Sequence, residues 1–167
     1  MDCQMPSMDE LESRAWRGLI RVIELLPPAL DAQMQRDSNL THFEFMVLSM
    51  LRFAPDSTLR MTALAQGTNA SLARLSHVCS RLEGRGLVER FDCPADRRAT
   101  NVRLTAAGNE CVIAAAPGHF ATARALVIDH LTPEQLASLA EITEALGLRL
   151  DPENRTLPAV ESGTPTE

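Results

Sequence analysis

Residues 71–105 read SLARLSHVCSRLEGRGLVERFDCPADRRATNVRLT, and their pattern decides the fold. Ser71 is a natural helix N-cap, and Leu72, Leu75, Val78, Cys79 and Leu82 follow it at helical spacing as an inward stripe. Gly84-Arg85-Gly86 stops that helix, because glycine tolerates the left-handed geometry of a C-terminal cap. Leu87–Phe91 and Thr100–Leu104 then alternate as two strands around a Cys93–Ala99 loop.

Upstream, a short helix over about Arg60–Gln66 ends at Gly67. Asn69 sits where an inter-helix turn needs a residue tolerant of positive φ. Short helix, turn, helix and hairpin is the order of a winged helix-turn-helix. A further helix precedes it, announced by Thr41 with Glu44 three residues on, a capping box, and stopped at Ala54-Pro55. Its residues Phe45, Met46, Leu48, Met50 and Leu51 make it almost wholly apolar and therefore central.

The chain's two ends read as long helices. From Met8 to about Arg36, Leu11, Ala15, Leu19, Val22, Ile23 and Leu26 recur at helical spacing, with Pro27-Pro28 expected to kink or break the run. Ala106 to about His130 forms another, with a kink expected at Pro117-Gly118. Thr132-Pro133-Glu134-Gln135 combines N-cap, first-turn proline and capping-box glutamine, and opens a helix to about Leu148. The fold class is mainly α with a small β-wing. Residues 40–105 form the winged helix-turn-helix domain, and 8–36 with 106–148 form a helical dimerisation region. The termini, 1–7 and 151–167, are expected to be disordered.

Charge is segregated along this plan. The chain of 167 residues carries a net charge of −6, and all sixteen basic residues are arginine. Residues 57–105 hold eight arginines against four acids, so a basic middle sits in an acidic frame and one face is suited to an anion. Ala73, Arg74, Ser76 and His77, with Arg81 a turn further, are the outward positions of the second helix of the motif, which Ser71 caps. Small residues beside hydrogen-bonding ones suit a helix entering a DNA major groove, although an ordinary solvated face reads alike. Arg97-Arg98 at the hairpin can reach an adjacent minor groove, with Asp96 pairing to one arginine and fixing the loop.

These stretches also carry a family resemblance. LARLSHVCSRLEGRGLVER (72–90) followed by DRRATNVRLTAAG (96–108) resembles the MarR family of bacterial transcription regulators. The family's L-E-x-R-G-L-V-x-R is matched by Leu82, Glu83, Arg85, Gly86, Leu87, Val88 and Arg90. Its wing, D-R-R and then L-T-x-x-G, is matched by Asp96, Arg97, Arg98, Leu104, Thr105 and Gly108. The resemblance covers about residues 40–148. It implies that Ser71 to His77 open a recognition helix, that Asp96 is a salt-bridging wing anchor and that Arg98 enters the minor groove. One departure is Thr68-Asn69, where relatives more often carry Leu-Gly.

The resemblance further implies a homodimer whose N- and C-terminal helices interlock over a palindromic operator in double-stranded DNA. Val112, Ile113, Leu126, Val127, Leu136, Leu139, Ile142 and Leu146 exceed what one small core needs. Relatives commonly take small aromatic or phenolic effectors between the dimer region and the winged domain. Trp16, His42, Phe45, Met46 and Met50 are candidates to line such a cleft, and they also read as ordinary core. The expected function is a dimeric, sequence-specific DNA-binding regulator, a repressor released by an effector. The alternatives are a thiol-based redox sensor of the same fold and a winged-helix protein-interaction module that does not bind DNA.

Other classes find less support. No nucleophile–base pairing, paired carboxylates or phosphate-cradling glycine loop argues for an enzyme, and no cofactor is expected. Cys3, Cys79, Cys93 and Cys111 lack metal or disulfide spacing, as do His42, His77, His119 and His130 for a metal. Cys93, beside the wing arginines, is the best thiol-sensor candidate. No signal peptide is evident and no apolar run approaches the roughly 20 residues of a membrane span, so no membrane partner and a cytoplasmic location are the default expectations.

Overall fold

The computed structural model describes residues 7–93, 96–153 and 155–156, with the side chains of 93 and 96–98 outside the described set. Its helices are α1 (Glu10–Ser38), α2 (His42–Phe53), α3 (Met61–Gly67), α4 (Leu72–Gly84), α5 (Ala106–Leu126) and α6 (Pro133–Leu150). Its strands are β1 (Thr58–Arg60), β2 (Val88–Cys93) and β3 (Asp96–Leu104). The sheet is antiparallel in the order β1-β3-β2. β1 escapes sequence reading because three residues are too few to show an alternating pattern.

Local signals hold where they rest on hydrogen bonds between near neighbours. Thr41 accepts from the Glu44 amide at 3.0 Å while Glu44 accepts from Thr41 N at 2.7 Å, and Thr132 and Gln135 form the same box on α6. Asp9 and Glu12 make a third box at the start of α1 that the sequence reading passed over. At its far end Asn39, with φ 51°, caps α1 in the left-handed region.

Several expectations are corrected. α1 runs unbroken through Pro27-Pro28. The prolines remove two amide donors, but proline's fixed φ near −65° lies inside the helical well. α5 likewise continues through Pro117 and ends at Leu126, after which a short 3-10 turn, Ile128–His130, redirects the chain. Ala106–His130 is, by length and composition alone, a stretch long and apolar enough to cross a membrane. The segment Asp151–Thr156, expected to be disordered, is in part folded: Thr156 N donates to Asp151 Oδ2 at 2.6 Å, and the Arg155 carbonyl lies against Gly67 of α3. Residues 1–6 and 157–167 lie outside the described residues.

The core joins all parts of the winged domain. Leu48 and Leu51 of α2, Leu64 of α3, Leu75, Cys79 and Leu82 of α4 and Val102 of β3 are all fully buried. Met34 of α1 and Val112 and Ala115 of α5 extend it. Val112 is thus spent within the chain's own core and is not spare surface. Leu72, expected inward, is 51% exposed and lines an open cleft towards the end of α6. The N-terminal two thirds of α1 and all of α6 have no buried residue, and Leu19, Val22, Ile23, Ile113, Leu126, Leu136, Ile142 and Leu146 face outward.

Candidate nucleic-acid interface

The turn between α3 and α4 is closed by its own backbone. Thr68 N donates to Leu64 O at 3.0 Å, Asn69 N to Gln66 O at 3.0 Å and Ala70 N to Ala65 O at 2.9 Å. Asn69 adopts φ 49°, the left-handed geometry expected of it. The departure at Thr68 is absorbed locally, for its buried hydroxyl donates to Leu64 O at 2.7 Å. Ser71 then accepts from Arg74 N at 3.2 Å and starts α4.

The face of α4 opposite its buried stripe carries Ala73, His77 and Ser80, all exposed, with Ser76 half-buried at its edge. Arg74 and Arg81 do not stand free on it. The Arg74 guanidinium lies 4.1 Å from the centre of the Phe43 ring, and Arg81 Nη2 lies 3.1 Å from Glu44 Oε1. Both partners belong to the first turn of α2. Ser80 was missed by the sequence reading, although its place seven residues after Ala73 puts it on the same helical face.

The hairpin is longer than its pattern suggested. β2 and β3 pair from Val88↔Leu104 to Asp92↔Thr100, after which the register jumps to Cys93↔Asp96. Arg97 and Arg98 therefore belong to the β3 backbone, within the irregular stretch of β3 that faces the Asp92–Cys93 step, and only residues 94–95 separate the strands. The Asp96 anchor, the Arg97 and Arg98 contacts and the Cys93 thiol concern side chains outside the described residues. Arg103, the next arginine of β3, is paired with Glu89 and stacks 5.2 Å from the Phe91 ring.

The motif L-T-x-x-G has a structural reading. Thr105 accepts from Gly108 N at 3.0 Å as the N-cap of α5 and donates to Gly86 O at 2.7 Å. Gly108 is there because a Cβ would stand 2.1 Å from the Leu87 carbonyl oxygen. The motif thus joins hairpin to α5.

The five residues proposed for an effector cleft are not gathered within one chain. His42 stacks on His119 of α5 at 5.3 Å, and Phe45 lies 4.7 Å from the same ring. Burial lowers the pKa of both histidines, and each also senses a neighbour, Asp31 for His42 and His42 for His119. Met46 is half-buried nearby on α2, whereas Met50 packs against Gly67 of α3. Trp16 is exposed on α1, 15 residues before Asp31, whose carboxylate accepts from His42 N. At about 1.5 Å per residue that is roughly 22 Å along the helix. A separate open cleft of about 830 Å³ lies between the α3–α4 turn and the end of α6.

Cys79 is buried and its thiol is pushed up to about 11 by desolvation, which makes it a poor nucleophile. Cys111 is half-buried on α5 against the core. Among the described residues no three His, Cys, Asp or Glu side chains come together as a metal site would require.

Comparisons with known proteins match this architecture. Residues 40–100 match the model of the MarR family. An uncharacterised HTH-type transcriptional regulator of Bacillus subtilis, YdcH, is 33% identical over 81 residues, 47% of this chain and 55% of its own length. The chain thus spans little more than half of that relative. The crystal structure of Sco3205 from Streptomyces coelicolor, a MarR family transcriptional regulator in complex with DNA, superposes with a TM-score of 0.81. It is 39% identical, over 89% of this chain and 96% of that one. AbsC, a MarR family regulator of the same organism, also has a TM-score of 0.81 at 34% identity, covering 87% of this chain and 98% of its own.

Proposed function

This chain belongs to the MarR family of transcriptional regulators, and from that premise we propose that it is a dimeric, sequence-specific DNA-binding repressor that a small-molecule effector releases. It is a regulator and not an enzyme. The observation that carries the reading is the exposed face of α4, with Ala73, Ser76, His77 and Ser80 presented beside a hairpin whose strand β3 carries Arg97 and Arg98. That face enters a major groove, and Arg98 reaches the neighbouring minor groove with Arg97 on a phosphate and Asp96 anchoring the wing. The relative Sco3205, solved with DNA, supports the same use of the fold.

In this reading residues 40–105 bind DNA while 8–36 and 106–148 join two copies. Support for the dimer comes from α1, α5 and α6, whose Leu19, Ile23, Ile113, Ile142 and Leu146 are exposed among the described residues. Two copies set two recognition helices one helical turn apart, about 34 Å, on a palindrome. An effector that favours another spacing shifts the population away from DNA. The protein works in the cytoplasm, where the operator is.

The test is a gel-shift titration at fixed salt with fragments enriched from genomic DNA. Arg98→Ala is expected to weaken binding at least tenfold and leave the dimer intact. Unchanged affinity rejects the wing role. Wild-type affinity that does not fall steeply with added salt rejects DNA phosphate contact altogether and favours a protein-interaction module.

A further inference from the structure

We propose that the buried carboxylate of Glu44 sets the rotation of α4 about its own axis, withdrawing Arg74 and Arg81 from base reading and making Ala73, His77 and Ser80 the reading stripe. The inference rests on the DNA-binding reading above and assigns its specificity residues.

Glu44 is almost fully buried at the first turn of α2, where an isolated carboxylate is costly. It is satisfied from two sides: Oε2 accepts from Thr41 N at 2.7 Å, and Oε1 meets Arg81 at 3.1 Å, with Arg85 4.0 Å from Oε2. One residue earlier, the ring of Phe43 lies under the Arg74 guanidinium at 4.1 Å. Arg74 and Arg81 are seven positions apart, so at about 100° per residue they fall within about 20° of each other on α4. Two adjacent residues of α2 therefore grip one flank of α4 at two levels, two turns apart.

The opposite flank is held as well. Glu83 accepts from Arg90 N, Nε and Nη2 at 3.0, 2.9 and 2.6 Å, tying α4 to β2. A helix fixed on both flanks and buried along Leu75, Val78, Cys79 and Leu82 has one face left. Ala73, His77 and Ser80 occupy it, and two small side chains beside a hydrogen-bonding ring fit close approach to base edges. The same turn of α2 also meets the dimerisation helices, because His42 N donates to Asp31 of α1 at 2.9 Å. Glu44 is thus a positioning residue on the line from α1 to the recognition helix.

The test uses the full-length dimer and the preferred duplex selected from random sequence by the wild type. Glu44→Gln keeps the helix cap, since glutamine serves in a capping box, and removes the charge that holds Arg81 and faces Arg85. Arg81→Gln breaks the same pair from its exposed end and guards against a folding defect in the first variant. Each is expected to lower the ratio of specific to non-specific affinity at least tenfold with non-specific affinity kept within threefold. The double variant is expected to be no worse than either single one. Ser80→Ala and His77→Ala are expected to relax base preference without disturbing α4. A ratio within threefold of wild type in both pair variants overturns the proposal.

Failure of the DNA reading is distinguishable. If the wild type enriches no duplex, that reading falls and the clamp is judged by amide hydrogen exchange. Exchange in α4 of Glu44→Gln at least tenfold faster relative to α5 sustains it, and unchanged relative protection overturns it.

Discussion

Arg90 closes on Glu83 with its backbone N–H and with two guanidinium nitrogens, so that one carboxylate receives three donors from one residue. Glu83 lies in the last turn of α4 and Arg90 in β2, with Gly86 at φ 70° turning the chain between them. Helix α4 and the hairpin are thereby welded, and the motif L-E-x-R-G-L-V-x-R is the weld. Leu82, Leu87 and Val88 of the same motif are buried beneath it.

The weld predicts a pH dependence. The Arg90 hydrogen bonds hold the Glu83 carboxyl below its usual range. A carboxylate with a depressed folded pKa adds stability above its unfolded pKa of about 4.3, and loses it as pH falls through the lower folded value. Both side chains are about one third exposed, so solvent screening limits the contribution to about 1 kcal/mol. Urea unfolding is expected to show Glu83→Gln about 1 kcal/mol less stable than wild type at pH 7, with the gap narrowing as pH falls below about 4. A gap independent of pH rejects the ion pair as its source.

Gly108→Ala tests the hairpin–α5 junction. Its Cβ would stand 2.1 Å from Leu87 O and 2.7 Å from Leu104 Cδ1, and backbone cannot step aside as a flexible side chain does. The expected loss is about 3 kcal/mol, the upper range of overpacking. Gly84→Ala, where nothing lies within 4 Å, is the control and is expected to be neutral or slightly stabilising. Equal midpoints for the two variants in thermal melts would remove the close-packing account.

The proposed dimer predicts that a charge on the exposed apolar faces of α1 or α6 separates the copies. Ile23 and Ile142 are each more than half exposed in one chain. Ile23→Glu and Ile142→Glu are expected to sediment as monomers at micromolar concentration while keeping helical circular dichroism. A dimer that survives both substitutions places the interface elsewhere.

Thiol labelling separates a buried cysteine from an accessible one. With its thiol raised to about 11 and no exposed surface, Cys79 is expected to resist iodoacetamide at pH 8 in the native protein. It should react in 6 M guanidinium chloride, as located by peptide mass mapping. Native labelling of Cys79 at the unfolded rate contradicts its burial.

Much of the fold is legible because its signals are local. The capping boxes at Thr41–Glu44 and Thr132–Gln135, the left-handed Asn69 and Gly86 and the buried stripe Leu75, Val78, Cys79 and Leu82 each depend on residues a turn or two apart. Hydrogen bonds of one backbone turn and a 3.6-residue period are written into sequence spacing itself. Asp9 and Glu12 carried the same signal and went unread.

What the spacing leaves open is which neighbour a side chain meets across the fold. Arg74 and Arg81 have the outward spacing of a DNA-reading face, yet Phe43 and Glu44 hold them, about 30 and 37 positions away in sequence. Thr58–Arg60 becomes a strand only because β3 offers it an edge, and Gly108 is required only because Leu87 passes over it. By itself the sequence determined the helices, their caps and the order of the winged domain, since these follow from short-range sterics and periodicity. The tertiary structure alone decided which arginines are anchored and which face of α4 remains open, since long-range packing pairs charges that no local rule relates.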